Sequence, residues 1–212
     1  MEYSKQVQKN HYIRQDYDSC ERFISYFNQK EIIVNVAKKI GDNVRILEIG
    51  KGNGLIYDYL KKMRFDIKSF DIDRDLNPDY LGDVTNIKEI IKDSYSIVAC
   101  FEVLEHIKYE DFEKTLKQLY EITNNYLLIS LPQSRFYLSV WFKIPLVRIF
   151  SFYLSVPFPI VHKFDGEHYW EVGKKGYSLK KVMAILNSFF HIQSHFVHPL
   201  DPYHRYFILK KS

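Results

Sequence analysis

The chain has 212 residues, 46% of them hydrophobic and 26% charged, which suits one substantial core, is short for two domains and excludes wholesale disorder. A formal net charge of +4 without a long basic stripe permits an anionic partner but gives no support to nucleic acid as a partner. The two cysteines are far apart, the N-terminus lacks the apolar core of a signal peptide and no long uncharged apolar stretch is present. We therefore expect residues 1–212 to form a single domain in the cytoplasm.

The first segment, residues 1–43, predicts a polar stretch followed by a helix. Apolar residues recur at helical spacing from about Ser19 to Ile40, and Gly41-Asp42-Asn43 supplies turn residues after them.

A glycine-rich turn follows the first predicted strand. The apolar run Val44 to Ile49 has the length and composition of a buried parallel strand, and Gly50, Gly52 and Gly54 come directly after it. Glycines at a strand-to-helix turn allow positive φ and let a ligand approach the main chain. The next residues have a helical pattern, with Ile56, Tyr59, Leu60 and Met63 on one face.

The spacing of the glycines discriminates between classes of ligand. A dinucleotide fingerprint reads G-x-G-x-x-G, and Leu55 occupies the place of its third glycine. The acidic Glu48 before the turn disfavours a pyrophosphate and favours a cationic ligand. The pattern therefore predicts a nucleoside ligand without phosphates and opposes a nicotinamide-dependent oxidoreductase.

Further strands end on residues that suit the same ligand. Asp66 to Asp71 predicts a second strand whose final carboxylate can accept both hydroxyls of a ribose, with Asp73 as its rival. The fourth strand is predicted at Ser96 to Phe101 and the fifth at Tyr126 to Leu131. Two more strands are predicted near the end of the chain, at Ile192 to Val197 and at Arg205 to Leu209, with Pro199 to Tyr203 as the turn between them.

Two motifs resemble a known family. Glu48-x-Gly50-x-Gly52-x-Gly54 resembles motif I of the class I S-adenosylmethionine (SAM) methyltransferases. Val103-Leu104-Glu105-His106 resembles the V-L-E-H segment of a widespread, type 11-like subgroup, with Ser96 where that subgroup has Asp. The resemblance implies an α/β, Rossmann-like fold with helices on both faces of a seven-stranded, mostly parallel sheet. The implied strand order is 3-2-1-4-5-7-6, with the last strand antiparallel.

The resemblance also implies SAM as the cofactor and assigns residues to it. The glycine turn would wrap the methionine end, Asp71 would bind the ribose and Asp83 would accept from the adenine amino group. Tyr12 and Tyr17, in the cap formed by residues 1–43, are candidates to cover the cofactor. The full set of implied cofactor residues is Glu48, Gly50, Gly52, Gly54, Asp71, Ile72, Asp83, Val84, Phe101 and Glu102.

A hydrophobic insertion, residues 133–165, follows the fifth strand. Residues 136–161 are crowded with aromatic and aliphatic side chains, with Lys143 and Arg148 as cations. Three interpretations stay open: a lid or pocket wall, a peripheral membrane contact, and a dimer interface. The protein is accordingly expected to be a monomer or a homodimer.

Two histidines are candidates for the transfer step. His168 has acidic neighbours that could orient it, and His106 belongs to the V-L-E-H segment, where a structural role at a helix start competes. His162, Asp165, Glu167 and His168 have metal-ligand character, but the chain has no C-x-x-C or H-E-x-x-H and no metal is predicted. The expected function is methyl transfer to oxygen or nitrogen of a small apolar or amphipathic acceptor. The alternatives are a catalytically silent SAM-binding module and a methyltransferase that acts at a membrane surface.

Overall fold

The computed structural model of the protein describes residues 18–145, 150–158, 160–164 and 166–211. Tyr12, Tyr17 and Asp165 lie outside the described residues. The helices are α1 (Cys20–Ile40), α2 (Leu55–Lys62), α3 (Ile87–Ile90), α4 (Tyr109–Ile122) and α5 (Leu179–Asn187). The strands are β1 (Arg45–Ile49), β2 (Asp66–Asp71), β3 (Tyr80–Leu81), β4 (Tyr95–Phe101), β5 (Thr123–Pro132), β6 (Arg135–Phe142), β7 (Phe150–Pro157), β8 (His191–His198) and β9 (Asp201–Lys210). Short 3₁₀ turns occupy Arg74–Leu76, Val84–Asn86 and Leu104–His106.

Seven strands form the main sheet, in the order β3-β2-β1-β4-β5-β9-β8. The pairs among β1 to β5 are parallel, and β9 runs antiparallel to both of its neighbours. Strands β8 and β9 are the sixth and seventh strands expected from the sequence. The predicted fold and strand order are therefore confirmed.

Each face of the sheet carries its own hydrophobic core. On one face, α1 and α2 pack Ile33 and Leu60 against strand residues such as Ile46. On the other face, α4 and α5 bury Phe112 and Leu186 in a second cluster. The central strands read as continuous apolar runs because both of their faces are covered.

Two local expectations were wrong. Tyr59 and Met63 are exposed, and α2 instead buries Ile56, Tyr57 and Leu60. The last turn is shorter than expected because β9 already begins at Asp201 and pairs His204 with Pro132 of β5. The start of β9 therefore lies beside the carboxyl end of β5.

The insertion forms a β-hairpin that is separate from the main sheet. Strands β6 and β7 pair antiparallel from Arg135 opposite Pro157 to Phe142 opposite Phe150. Many large apolar side chains of this segment are 40–65% exposed, including Phe136, Leu138, Val140, Trp141, Phe152, Leu154, Val156 and Val161. Among the described residues, no helix combines the length and the apolar character needed to cross a bilayer.

Candidate active site

The glycine turn between β1 and α2 has the backbone that its sequence predicts. Gly50, Gly52 and Gly54 have φ of 82°, 53° and 77°. At Gly50 a Cβ would lie 2.4 Å from Cγ2 of Val103, so only glycine fits without displacing that side chain. The Gly50 amide donates to the Phe70 carbonyl over 2.9 Å, which fixes the turn to the end of β2.

Glu48 lies at the end of β1 below this turn and is buried, with 6% of its surface exposed. Its Oε2 has no hydrogen-bond partner within the part of the chain that the structure describes. Burial raises the pKa of Glu48 to about 8, with Lys51 opposing and Asp71 adding to the rise. A buried acid without a donor is the complement of a cationic ligand, because a cation would supply the missing interaction.

Asp71 ends β2 and is positioned by the glycine turn. Its Oδ2 accepts from the Lys51 amide over 2.7 Å, and its Oδ1 accepts from the Asp73 amide over 2.8 Å. Burial raises the pKa of Asp71, and these amides together with that of Gly52 oppose the rise. Its rival Asp73 caps the 3₁₀ turn Arg74–Leu76 by accepting from the Asp75 amide. Both acids line the cavity described below.

Asp83 follows β3 and caps the next 3₁₀ turn, with Oδ1 accepting from the amide and the hydroxyl of Thr85. Val84 is buried beside it, and Ile72 is half-buried after β2. These residues come from the ends of neighbouring parallel strands, which is where α/β sheets bind their ligands.

Glu102 follows β4 and is bound by other protein side chains. Its Oε1 accepts from Ser25 over 2.7 Å and from Gln29 over 2.9 Å, and its Oε2 accepts from Arg22 over 2.6 Å. The residue has φ of 55°, an unfavourable conformation outside glycine that is frequent at active sites. Glu102 thus fixes α1 against the cavity, in addition to lining it.

The sequence reasoning missed His204, which also reaches Glu102. Its Nε2 lies 3.5 Å from Oε2 of Glu102, and its Nδ1 lies 2.8 Å from Oδ1 of Asp201. Burial lowers the pKa of His204, but the charges of Glu102 and Asp201 outweigh burial and raise it. One signal in the sequence could have indicated His204. The last strand was expected to be antiparallel, so its first residues had to lie at the sheet edge where the parallel strands end, which is the edge that carries the site.

His106 and His168, the two candidates for the transfer step, lie together. Their ring centroids are 5.1 Å apart, and a carboxylate oxygen of Glu105 and one nitrogen of each ring all lie within 4.8 Å of one another. The ring of His106 hydrogen-bonds the Glu167 carbonyl through Nδ1 over 2.9 Å. Nδ1 of His168 faces Oε1 of Glu171 at 3.4 Å. The sequence singled out both histidines but not Glu105, which is 1% exposed.

A cavity of about 740 Å³ contains both groups of residues. Every cofactor residue expected from the sequence lines it except Gly54, which instead caps the N-terminus of α2. The wall also includes Arg22, Tyr26 and Gln29 of α1, and Tyr203 and His204 of β9. None of the described residues from 135 to 164 lines the cavity. The volume is in the range of small-molecule sites, roughly 300–1,000 Å³.

Comparisons with known proteins identify the family and the fold. The family model described as "Methyltransferase domain" matches residues 6–168. The comparison with curated protein sequences found no match.

Similar solved structures include the glycopeptide N-methyltransferase MtfA complexed with S-adenosylhomocysteine, at 10% identity over 87% of this chain and 89% of that chain, with a TM-score of 0.58. Magnesium protoporphyrin IX methyltransferase from Synechocystis PCC 6803 with bound S-adenosylhomocysteine matches at 14% identity over 96% of this chain and 92% of that chain, with a TM-score of 0.58. The N-methyltransferase NodS from Bradyrhizobium japonicum WM9, also in complex with S-adenosylhomocysteine, matches at 9% identity over 96% of this chain and 95% of that chain, with a TM-score of 0.59.

The family match extends over most of the chain, and the structural matches share its fold. Membership of the V-L-E-H subgroup stays a prediction. The chain therefore belongs to the methyltransferase domain family and has the fold of enzymes that bind SAM and its demethylated product.

Proposed function

We propose that the protein transfers the methyl group of SAM to oxygen or nitrogen of a small apolar or amphipathic acceptor. The observation that carries the proposal is one cavity lined by two unlike groups of side chains. We assign the glycine turn and the buried carboxylates of Glu48 and Asp71 to a first end, for the cofactor, and His106 and His168 to a second end, for the acceptor.

The first end suits SAM. Glu48 offers a buried acid without a donor to the cationic methionine portion, and Asp71 offers a carboxylate to the ribose hydroxyls. The family resemblance assigns Asp83 and Val84, which line the same cavity, to the adenine. The amide of Gly52 is one of three that hydrogen-bond Asp71, so turn and acid are positioned as one unit.

The second end suits the acceptor and its proton. Methyl transfer is an in-line displacement, so orientation is the main catalytic contribution, with effective molarities of roughly 10⁵–10⁸ M for aligned reactants. A hydroxyl or ammonium acceptor must also lose a proton, which a histidine can accept near neutral pH. Tyr169 and Tyr203 beside the histidines supply apolar ring surface with a polar end.

Turnover of methyl-labelled SAM tests the proposal. Purified protein is incubated with labelled SAM and a panel of phenols, amines and amphipathic hydroxy compounds, and product label is measured beside calorimetric SAM binding. Label in an acceptor, lost on Asp71→Ala, is the expected result. SAM binding without turnover on the whole panel would favour the catalytically silent module, and no SAM binding would refute the proposal.

A second candidate is the same reaction at a membrane surface. The hairpin of β6 and β7 exposes aromatic and aliphatic side chains, and residues 133–164 contain Arg135, Lys143, Arg148 and Lys163 but no Asp or Glu. Exposed rings with cations and without anions suit the headgroup region of anionic lipid. Co-sedimentation with phosphatidylserine vesicles, lost on Trp141→Ser, would support this candidate. Dimerisation without vesicle binding would assign the hairpin to an interface between copies.

A further inference from the structure

We propose that Glu105, His106 and His168 form a binding site for a divalent first-row transition-metal ion at the acceptor end of the cavity. One carboxylate oxygen and two imidazole nitrogens already lie within 4.8 Å of one another. Two ligand atoms of a tetrahedral ion, each about 2.0–2.2 Å from the metal, are about 3.3–3.6 Å apart. Closing the site therefore needs the most distant pair of ligand atoms to approach by at most about 1.5 Å, a movement that two side chains share.

The buried carboxylate of Glu105 is the second observation that points to a ligand. Glu105 is 1% exposed, and its Oε2 has no hydrogen-bond partner among the residues described. A carboxylate buried with one oxygen unpartnered is destabilising unless a cation compensates it. A metal ion would supply that compensation.

The two histidines are held as metal ligands usually are. Nδ1 of His106 contacts the Glu167 carbonyl, and Nδ1 of His168 contacts the Glu171 carboxylate. In His106, a ring nitrogen that donates to the carbonyl leaves the lone pair of the neutral ring on Nε2, which fixes the tautomer for ligation. The other carboxylate oxygen of Glu171, Oε2, lies 3.7 Å from Nζ of Lys174, so Glu171 is held beside His168 by a second contact.

The backbone keeps the three ligands in register although they are far apart in sequence. Glu105 and His106 lie in the 3₁₀ turn after β4, and the Tyr169 amide donates to the Glu105 carbonyl over 2.9 Å. The fully buried Trp170 donates from Nε1 to the Ile107 carbonyl over 3.2 Å. These two bonds place His168 beside the turn before any ion binds.

The donor set indicates both the kind of ion and its use. Two imidazoles and one carboxylate suit Zn²⁺, Co²⁺ or Fe²⁺ better than Ca²⁺ or Mg²⁺. Three protein ligands leave a coordination position open, as in catalytic metal sites. Glu105, His106 and His168 all line the cavity, so an ion held by them would be accessible to an oxygen of the acceptor.

This use of the ion, unlike ion binding itself, rests on the proposed function. With the ion bound, the lone pairs of His106 and His168 are used as ligands, so the ion replaces a histidine base: an acceptor hydroxyl on the ion loses its proton to solvent more readily, because the ion stabilises the oxyanion. The oxygen then forms a bond to the methyl carbon, the C–S bond breaks, and its electron pair stays on sulfur as a neutral thioether. The metal is not consumed.

Titration of the metal-free full chain with Co²⁺ tests the site without SAM or acceptor. We expect one equivalent to bind with a visible d–d spectrum, and Zn²⁺ to displace it. Glu105→Gln, His106→Ala and His168→Ala should each lower the affinity at least tenfold. Glu171→Gln should lower it about 10–100-fold through loss of the orienting contact. The matched controls are Glu110→Gln and His191→Ala, whose side chains are exposed, and they should bind as the wild type does.

Thermal unfolding with and without Zn²⁺ distinguishes a variant that has lost metal binding from one that does not fold. At 100 times the dissociation constant, the ion should raise the melting temperature of the wild type by about 5–10 °C. At the same Zn²⁺ concentration, a site at least tenfold weaker should give Glu105→Gln about half of that shift or less. No Co²⁺ spectrum and no thermal shift in the wild type would overturn the proposal, as would unchanged affinity in all three ligand variants. Ion binding without any methyl transfer would leave this site standing and refute the proposed function instead.

Discussion

Replacement of Glu48 by glutamine should stabilise the protein and weaken its binding of SAM. The carboxyl pKa is about 8 in the folded protein, against 4.5 for the ordinary group. A raised pKa means that the folded state holds the proton more tightly than the unfolded state. The contribution of Glu48 to stability is therefore fully present below pH 4.5 and is lost as the pH rises to about 8.

The difference in the free energy of unfolding follows from the shift in the Glu48 pKa. Each pH unit between 4.5 and 8 lowers the stability of the wild type by about 1.4 kcal/mol. At pH 7 the wild type is therefore about 3 kcal/mol less stable than Glu48→Gln, which does not ionise. For a chain of this length that corresponds to a melting temperature about 6–12 °C higher in the variant. The difference should shrink to about 0.8 kcal/mol at pH 5, because that pH is only half a unit above the ordinary pKa of the carboxyl in the unfolded chain.

Thermal unfolding followed by circular dichroism at pH 5, 6, 7 and 8 measures this difference, and calorimetry measures SAM binding. Loss of a charged partner should weaken SAM binding by about 1.5–3 kcal/mol, and wild-type affinity should rise between pH 6 and 7 as Glu48 becomes easier to ionise. A stability difference that does not grow with pH would show that Glu48 has an ordinary pKa. Equal SAM affinity in the variant would show that no cation binds beside it.

Three further substitutions test other parts of the site. Asp71→Ala should weaken SAM binding about 10–150-fold in calorimetry, since it removes a charged hydrogen-bond acceptor, whereas unchanged affinity would move the ribose site to Asp73. Gly50→Ala should lower both SAM affinity and melting temperature because its Cβ would lie 2.4 Å from Val103, and the added change Val103→Ala should restore part of the loss. Trp170→Ala should lower the free energy of unfolding by about 3–5 kcal/mol in denaturant titrations, because the ring is fully buried; a loss below 1 kcal/mol would contradict its role as the anchor beside His168.

The sheet and the cofactor end of the cavity could be predicted because their signals are local. A buried parallel strand is a continuous apolar run, and the glycines that follow β1 are adjacent in sequence. Asp71 and Asp83 end neighbouring strands, so their convergence follows from the strand order. These residues needed no knowledge of distant contacts.

The remaining features depend on contacts that sequence spacing does not contain. The hairpin of β6 and β7 has apolar residues on both faces, so neither the period of a half-buried strand nor that of a helix is visible in residues 136–161. Glu105 was recognised in the V-L-E-H segment but given no role in the site, because its proximity to His168 arises only from tertiary packing. His204 was assigned to neither the last turn nor the last strand, because the start of β9 was placed four residues late, at Arg205.

The contacts of Glu102 have a consequence for synthesis on the ribosome. Residues from α1 and from β9 enclose this wall of the cavity, and Ser25 and Tyr206, 181 positions apart, are hydrogen-bonded there. At about 5–20 residues per second, roughly 10–35 s separate the emergence of these two residues. Until then β5 is an open sheet edge and the wall is incomplete. A nascent chain must therefore survive this interval without help from its cofactor, and SAM can stabilise only the finished fold.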